Sequence, residues 1–466
     1  KEKTHGSSVS SLISDSDLEV TVRTLERIVA DSCLDQKRFK ALRCALHPLV
    51  LQQIQKYAGG VDYKAKTTLA LQHAKWADAL ACLKACRDLG QYPKQGTVQR
   101  WVRDCDGAPD TCKLTLLNAI LMVHPSNHAS NSADPSGTTN NKHDPRIVLD
   151  TLQTQATRTS SSLLAPSDAT DASSSGDKQL QILEDWSIGR LMDPEQFEEE
   201  IPLMEDLRSR ILYQEPARER KPPNHYDLLL HTTTTTAPCL TWSQSPPSII
   251  RHEVPFRHVP SHASLFLLEN VLTLDECQQL RSAATTLGFR PDHPVSMDAP
   301  TGIDSCEWLV DDSILQVLNA RVQSFLEQTV MEDRSFVSIN PRWRFFRYGQ
   351  GCVYRPHLDG SWPASRIHNG KYESYEEDSN GNRIQSYLTF LIYLNDNFHG
   401  GATRFYGTLD GRLVAQGVRP KCGSVLVFSQ GHAASLIHEG SAVTQGTKYV
   451  VRTDVLYRTK SSPNKA

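Results

Sequence analysis

The chain has 466 residues, 39% of them hydrophobic, with 50 Lys and Arg against 53 Asp and Glu for a formal net charge of -3. A chain this long rarely folds around one core, so two or three units are expected. The near-neutral balance gives a polyanionic partner no electrostatic handle, so nucleic-acid binding is not expected. No apolar run approaches the roughly 20 residues that a membrane span needs.

From Ser16 to Met122 the pattern is helical. Val22–Ala30, Lys37–Tyr57 and Lys75–Leu89 repeat apolar residues at three- and four-residue intervals, and Gly59-Gly60 and Gly90 stand where helices can end. Residues 1–122 are therefore read as an α-helical region. Within it, Lys75-Trp76, Ala79-Leu80, Leu89-Gly90, Pro93 and Thr97 resemble one pentatricopeptide repeat, but a single copy builds no solenoid and reads no RNA. Residues 123–177, rich in Ser, Asn, Thr, Asp and Gly, cannot bury enough apolar surface to offset ordering entropy and are read as a disordered linker. A short acidic helical segment is expected over 178–215, its Glu198–Glu200 run a solvated face, and an irregular Pro- and Thr-rich connector over 216–260.

The texture changes over 261–460. Leu265–Leu272 leads into Thr273, an N-cap with Glu276 at the third helical position, and a helix through Cys277–Leu287 follows. A second helical stretch, Ser313–Glu327, precedes apolar runs at Pro341–Tyr348, Ser386–Asn395, Ala402–Phe405, Ser424–Phe428 and Thr447–Arg458, separated by Gly, Asn and Asp turns. Spaced strands with helices only in front predict an α+β domain, a β-sandwich or barrel backed by helices.

His357-Leu358-Asp359 offers two ligands whose side chains leave one face of an extended segment. Alone this pair is a weak signal, more often a surface pair satisfied by water or a turn. With a distant His it makes the 2-His-1-carboxylate facial triad, which leaves one side of Fe(II) open. His438, after the strand Ser424–Phe428, is the best third ligand; His399, His432 and His368 lie in turn-like or polar loops. Ten residues beyond His438, Lys448 falls in the apolar run Thr447–Leu456, where a buried cation needs an anionic partner such as a dicarboxylate. Arg452, on the same strand face, is the second candidate for that partnership.

Arg347-Tyr348-x2-Gly351-x2-Tyr354-x2-His357-x-Asp359, Thr389-Phe390-x2-Tyr393-Leu394-Asn395, Gly400-Gly401-x-Thr403-x-Phe405, Pro420-x2-Gly423-Ser424-x3-Phe428 and His438-x9-Lys448, in that order, resemble the catalytic domain of prolyl 4-hydroxylase-like 2-oxoglutarate oxygenases. The resemblance implies a double-stranded β-helix (jelly-roll), with His357, Asp359 and His438 on Fe(II) and Lys448 on the distal carboxylate of 2-oxoglutarate. It implies that Tyr348 and Tyr393 line the co-substrate pocket, although a strand Tyr is also ordinary core packing. L-ascorbate is the implied reductant. The implied reaction hydroxylates a C–H bond as 2-oxoglutarate is decarboxylated to succinate. A protein or peptide side chain such as proline is the family-level substrate, with a small molecule as the other class. Gly360–Gln385, a polar stretch with Trp362, Tyr372 and Tyr375, is longer than in shorter family members and is expected to shape substrate choice.

The competing reading is an interaction or scaffold protein whose jelly-roll is non-catalytic or sensing; a cupin-like binding protein would not need Lys448 in register. Eleven cysteines scattered without a CxxC pair suit reduced thiols. Lys1-Glu2-Lys3-Thr4 carries neither an initiator Met nor an apolar segment, so localisation stays open, with the reduced thiols favouring a soluble cytoplasmic or nuclear protein over a secretory one. Oligomeric state leaves no mark on the sequence.

Overall fold

The computed structural model describes residues 61–123, 180–188 and 200–459, except 222, 235–239, 244–247, 258, 260–262, 296–301, 328–333, 410–411 and 432–433, together with four positions between 20 and 24. The expected helices at Val22–Ala30 and Lys37–Tyr57 lie almost wholly outside these residues, and the linker at 123–177 lies outside them apart from Val123. Two compact units are present, Lys1–Ala65 and Lys66–Ala466. Every strand among the described residues belongs to the second.

Helices Trp76–Asp88, Gln95–Asp104 and Asp110–Met122 pack around Leu83, Cys86, Val98, Trp101, Leu116 and Ile120, all fully buried. The first ends as its sequence requires. Gly90 takes φ 64°, Gln91 N–H donates to Cys86 O at 2.8 Å and Gly90 N–H to Arg87 O at 3.2 Å, a Schellman closure that a side chain at 90 would strain.

The remainder is built on two sheets. The larger has eleven strands, and its central order is Ile303–Leu309, Arg342–Tyr348, Lys448–Thr459, Arg383–Tyr393, Val425–Ser429, Leu265–Glu269. The smaller has five: Leu180–Ile182, Arg412–Val418, Thr403–Leu409, His438–Gly440 and Tyr354–His357. Alternation along the strands sorts the two cores. Phe266, Leu268, Phe345, Val425, Val427 and Val451 face one way, onto Leu280 and Ala284 of helix Leu274–Leu287 and Leu318 and Val322 of helix Asp312–Glu327. Their neighbours Leu265, Leu267, Phe346, Leu426, Phe428 and Val450 face the small sheet. The expected jelly-roll backed by helices is what these layers form, and the capping box at Thr273 is present, with Glu276 also held by Arg321 at 2.8 Å.

Two expectations upstream of 261 give way to strands. Where a short helical segment is predicted over 178–215, Leu180–Ile182 runs parallel to Leu413–Ala415 and Ser209–Glu215 pairs antiparallel with Leu228–Thr233. Within the expected connector 216–260, Leu228–Thr233 and Ile250–Glu253 extend the large sheet. The cause is tertiary: these segments meet open sheet edges, whose unpaired N–H and C=O groups outweigh a weak local helical preference. The Gly360–Gln385 stretch is likewise ordered. Ala364–His368 and Lys371–Tyr375 form a hairpin turned by Asn369-Gly370, both at positive φ. The hairpin rests on the edge strand through Tyr213 and Tyr372, whose ring centroids are 5.3 Å apart.

Candidate metal centre

His357 ends one strand of the small sheet and His438 begins its neighbour, and the two are direct register partners. Their ring centroids lie 4.2 Å apart. Asp359, two residues on, brings Oδ1 to 3.6 Å from His357 Nε2 and Oδ2 to 3.7 Å from His438 Nε2. One donor atom from each of the three residues falls within 4.8 Å of the others, and no other such group of His, Cys, Asp and Glu occurs among the described residues.

The surroundings prepare these atoms as ligands. His357 Nδ1 lies 2.8 Å from Arg355 O and His438 Nδ1 3.0 Å from Leu436 O, so each ring directs its Nδ1–H at a carbonyl and turns its Nε2 toward the cluster. Burial, with His357 beside it, pulls His438 down to about 3, which keeps it neutral. Asp359 is buried, which alone would raise its pKa, but Arg452, His438 and His357 outweigh burial and hold the carboxyl well below its ordinary range. Thr389 Oγ1 stands 2.7 Å from Asp359 Oδ2 and fixes the carboxylate's orientation. Two imidazoles and one carboxylate whose donor atoms converge on one point fit a divalent iron with open positions.

Beyond the triad, the inner face of strand Lys448–Thr459 carries Lys448 and Arg452, which the structure puts to different uses. Lys448 is buried and its Nζ donates to Gly401 O at 2.6 Å. Among the described residues this is its one hydrogen bond, so two of its three N–H donors are without a partner. Its Nζ lies 5.3 Å from the Tyr348 ring centroid and 5.8 Å from that of Tyr393. Tyr393 is tied to Thr403, hydroxyl to hydroxyl, at 2.8 Å. An under-bonded buried cation between two phenols fits one end of a dicarboxylate. Arg452 instead sits 3.3 Å from Asp359 Oδ2 and 3.3 Å from Asp454 Oδ1, and donates to Gln430 Oε1 at 3.1 Å.

Of the rival histidines, His399 lies in the short strand His399–Gly400 outside the donor cluster, and His368 pairs with Glu373 at 3.2 Å on the hairpin. His432 lies outside the described residues. Sequence reasoning gave no role to Thr389 or Gln430. Thr389 shares the strand face of Tyr393, four residues on, which is a usable signal; Gln430 reaches the site from a loop and leaves none.

Residues 343–453 match the family model of the 2OG-Fe(II) oxygenase superfamily, so the C-terminal part of the chain carries a domain of that superfamily. No curated protein sequence matches the chain. Solved structures similar to it include viral collagen prolyl hydroxylase from Paramecium Bursaria Chlorella virus-1 in complex with 2-oxoglutarate, at 16% identity and TM-score 0.28, covering 43% of this chain and 97% of that one. A Trichoplax adhaerens prolyl hydroxylase in complex with a hypoxia inducible factor oxygen degradation domain peptide fragment is 15% identical at TM-score 0.25, covering 39% and 74%. HygX from Streptomyces hygroscopicus with nickel, 2-oxoglutarate and hygromycin B bound is 12% identical at TM-score 0.27, covering 42% and 83%.

Proposed function

We propose that this protein is an Fe(II)- and 2-oxoglutarate-dependent dioxygenase that hydroxylates a C–H bond on a protein side chain such as proline. The carrying observation is the pairing of a His, Asp, His donor cluster with an under-bonded buried Lys448. Metal, 2-oxoglutarate and dioxygen together would supply the oxidising chemistry, one oxygen atom going to the C–H bond and the other to succinate as CO2 leaves. His357, Asp359 and His438 hold the metal from one side, and Lys448 pairs with the distal carboxylate. Tyr348 and Tyr393 line the co-substrate pocket. Arg452 serves the site by fixing Asp359, which leaves Lys448 as the co-substrate anchor. Phe405, Leu426 and Phe428, all buried between the sheets, exclude water. Ascorbate is the reductant that keeps the metal ferrous.

The experiment is succinate release by purified protein supplied with Fe(II), 2-oxoglutarate and ascorbate, run against peptides and metabolites. Replacing His357 or Asp359 with Ala removes one of three ligands and is expected to abolish succinate formation. Activity near that of the wild type would sink the assignment.

A further inference from the structure

The helical layer reaches the rim of the metal centre. Helix Gln95–Asp104 packs against Tyr354–His357, the strand that carries the first ligand. Gln95 Nε2 donates to Ser435 Oγ at 2.6 Å, three residues before His438. One helical turn on, Gln99 is half-buried, and a Cβ placed on Gly360, the residue after Asp359, would lie 3.5 Å from Gln99 Nε2. Below them Asp106 lies 3.6 Å from Arg355 and also pairs with Lys113. The helix thus spans both ligand-bearing segments, and its two glutamines fare differently. Gln95 is bonded to the domain. The Gln99 carboxamide has no hydrogen-bond partner among the described residues, although it is drawn in beside the metal carboxylate's own neighbour.

The half-buried Gln99 amide keeps contact with solvent and spends neither its donor nor its acceptor on the described residues, so both are open to a ligand at the rim. A primary carboxamide presents a donor and an acceptor side by side, the complement of a peptide group's C=O and N–H. We infer that Gln99 is a specificity-determining residue, its carboxamide hydrogen-bonding a peptide group of a substrate chain laid across the rim at Gly360. Gln99 is then a contribution of the N-terminal helices to an active site whose ligands come from two strands and the residues just after one of them. The inference rests on the reading of this site as an oxygenase acting on a protein side chain.

The test uses the full chain and a library of proline-containing peptides, with the best peptide hydroxylated by the wild type taken as probe. Gln99→Ala and the near-isosteric Gln99→Met both remove the hydrogen-bonding pair, and only the second keeps the packing. Both are expected to raise KM for the peptide roughly three- to tenfold, the range for one lost hydrogen bond. Succinate formation without peptide is expected to stay within about twofold of wild type, since neither metal nor co-substrate is touched. Wild-type KM in Gln99→Met, with peptide still hydroxylated, overturns the inference and leaves the oxygenase reading standing. Succinate formation by the wild type with no peptide hydroxylated overturns the protein-substrate reading, and the inference with it.

Discussion

Lys448 is the residue at which burial and function pull in opposite directions. Its burial pulls the ammonium down from 10.5 to about 7. Below about 7 the amine is charged in folded and unfolded chain alike, and the folded protein bears the cost of a buried cation. Between about 7 and 10.5 the unfolded chain keeps a proton that the folded chain has shed, so the ligand-free protein gains stability as pH rises through that window. Under the proposed function, co-substrate affinity runs the other way, because a dicarboxylate pairs with the ammonium alone. Titration calorimetry with 2-oxoglutarate and Mn(II) is expected to show affinity flat below about pH 7 and falling by about tenfold per pH unit above it. Lys448→Ala is expected to abolish that slope and weaken binding by roughly ten- to a hundredfold, the worth of a charge-assisted hydrogen bond. Unchanged affinity in the variant would mean that the dicarboxylate is held elsewhere.

The turn that receives Lys448 belongs to the element scale. Gly400 and Gly401 both take positive φ, at 72° and 65°, and a Cβ on Gly400 would meet Ala442 O at 2.2 Å. Backbone strain and the clash act together, so Gly400→Ala is expected to cost about 1–3 kcal/mol of stability, read from the urea midpoint. Gly96, whose added Cβ would meet nothing within 4 Å, is the control, and Gly96→Ala is expected to shift the midpoint by little or slightly upward. That Gly-Gly turn was legible in the sequence, as were the strands bearing Tyr393 and Lys448, because dense apolar runs leave a local mark; the short strand Tyr354–His357 carries no such run. The Asn369-Gly370 hairpin had its signal too, an Asn-Gly pair between Ile367 and Tyr372, hidden in a stretch polar enough to pass for loop. The strand at Leu180–Ile182 had none, since its three residues become a strand only by meeting Leu413–Ala415 more than two hundred positions away. The packing of Gln99 beside Gly360 escaped for the same reason: a glutamine on a helix carries no sign of what it will face.

At the scale of the whole molecule, the core of the jelly-roll does not begin at residue 261. Ile188, Val254 and Phe256 are buried in the core between the two sheets, and Leu228 and Leu230 pack on Leu309 at the far edge of the large sheet. Each is supplied from upstream. Losing one large core side chain typically costs about 2–5 kcal/mol, whereas an entire domain is stable by only about 5–15 kcal/mol. Removing several at once, together with the strands that cover the edges of both sheets, exceeds that margin and leaves open edges prone to association. The helices matter in turn because Asp110–Met122 packs on Thr403–Leu409 and Arg412–Val418, where Tyr406, Leu413 and Ala415 are buried. A fragment of residues 261–466 is therefore expected to aggregate or to lack a cooperative thermal transition by circular dichroism. A fragment of residues 61–466 is expected to melt cooperatively and to bind 2-oxoglutarate with Mn(II). A monodisperse, cooperatively melting 261–466 fragment would show that these residues carry their own core, and that the upstream strands and helices are additions to it.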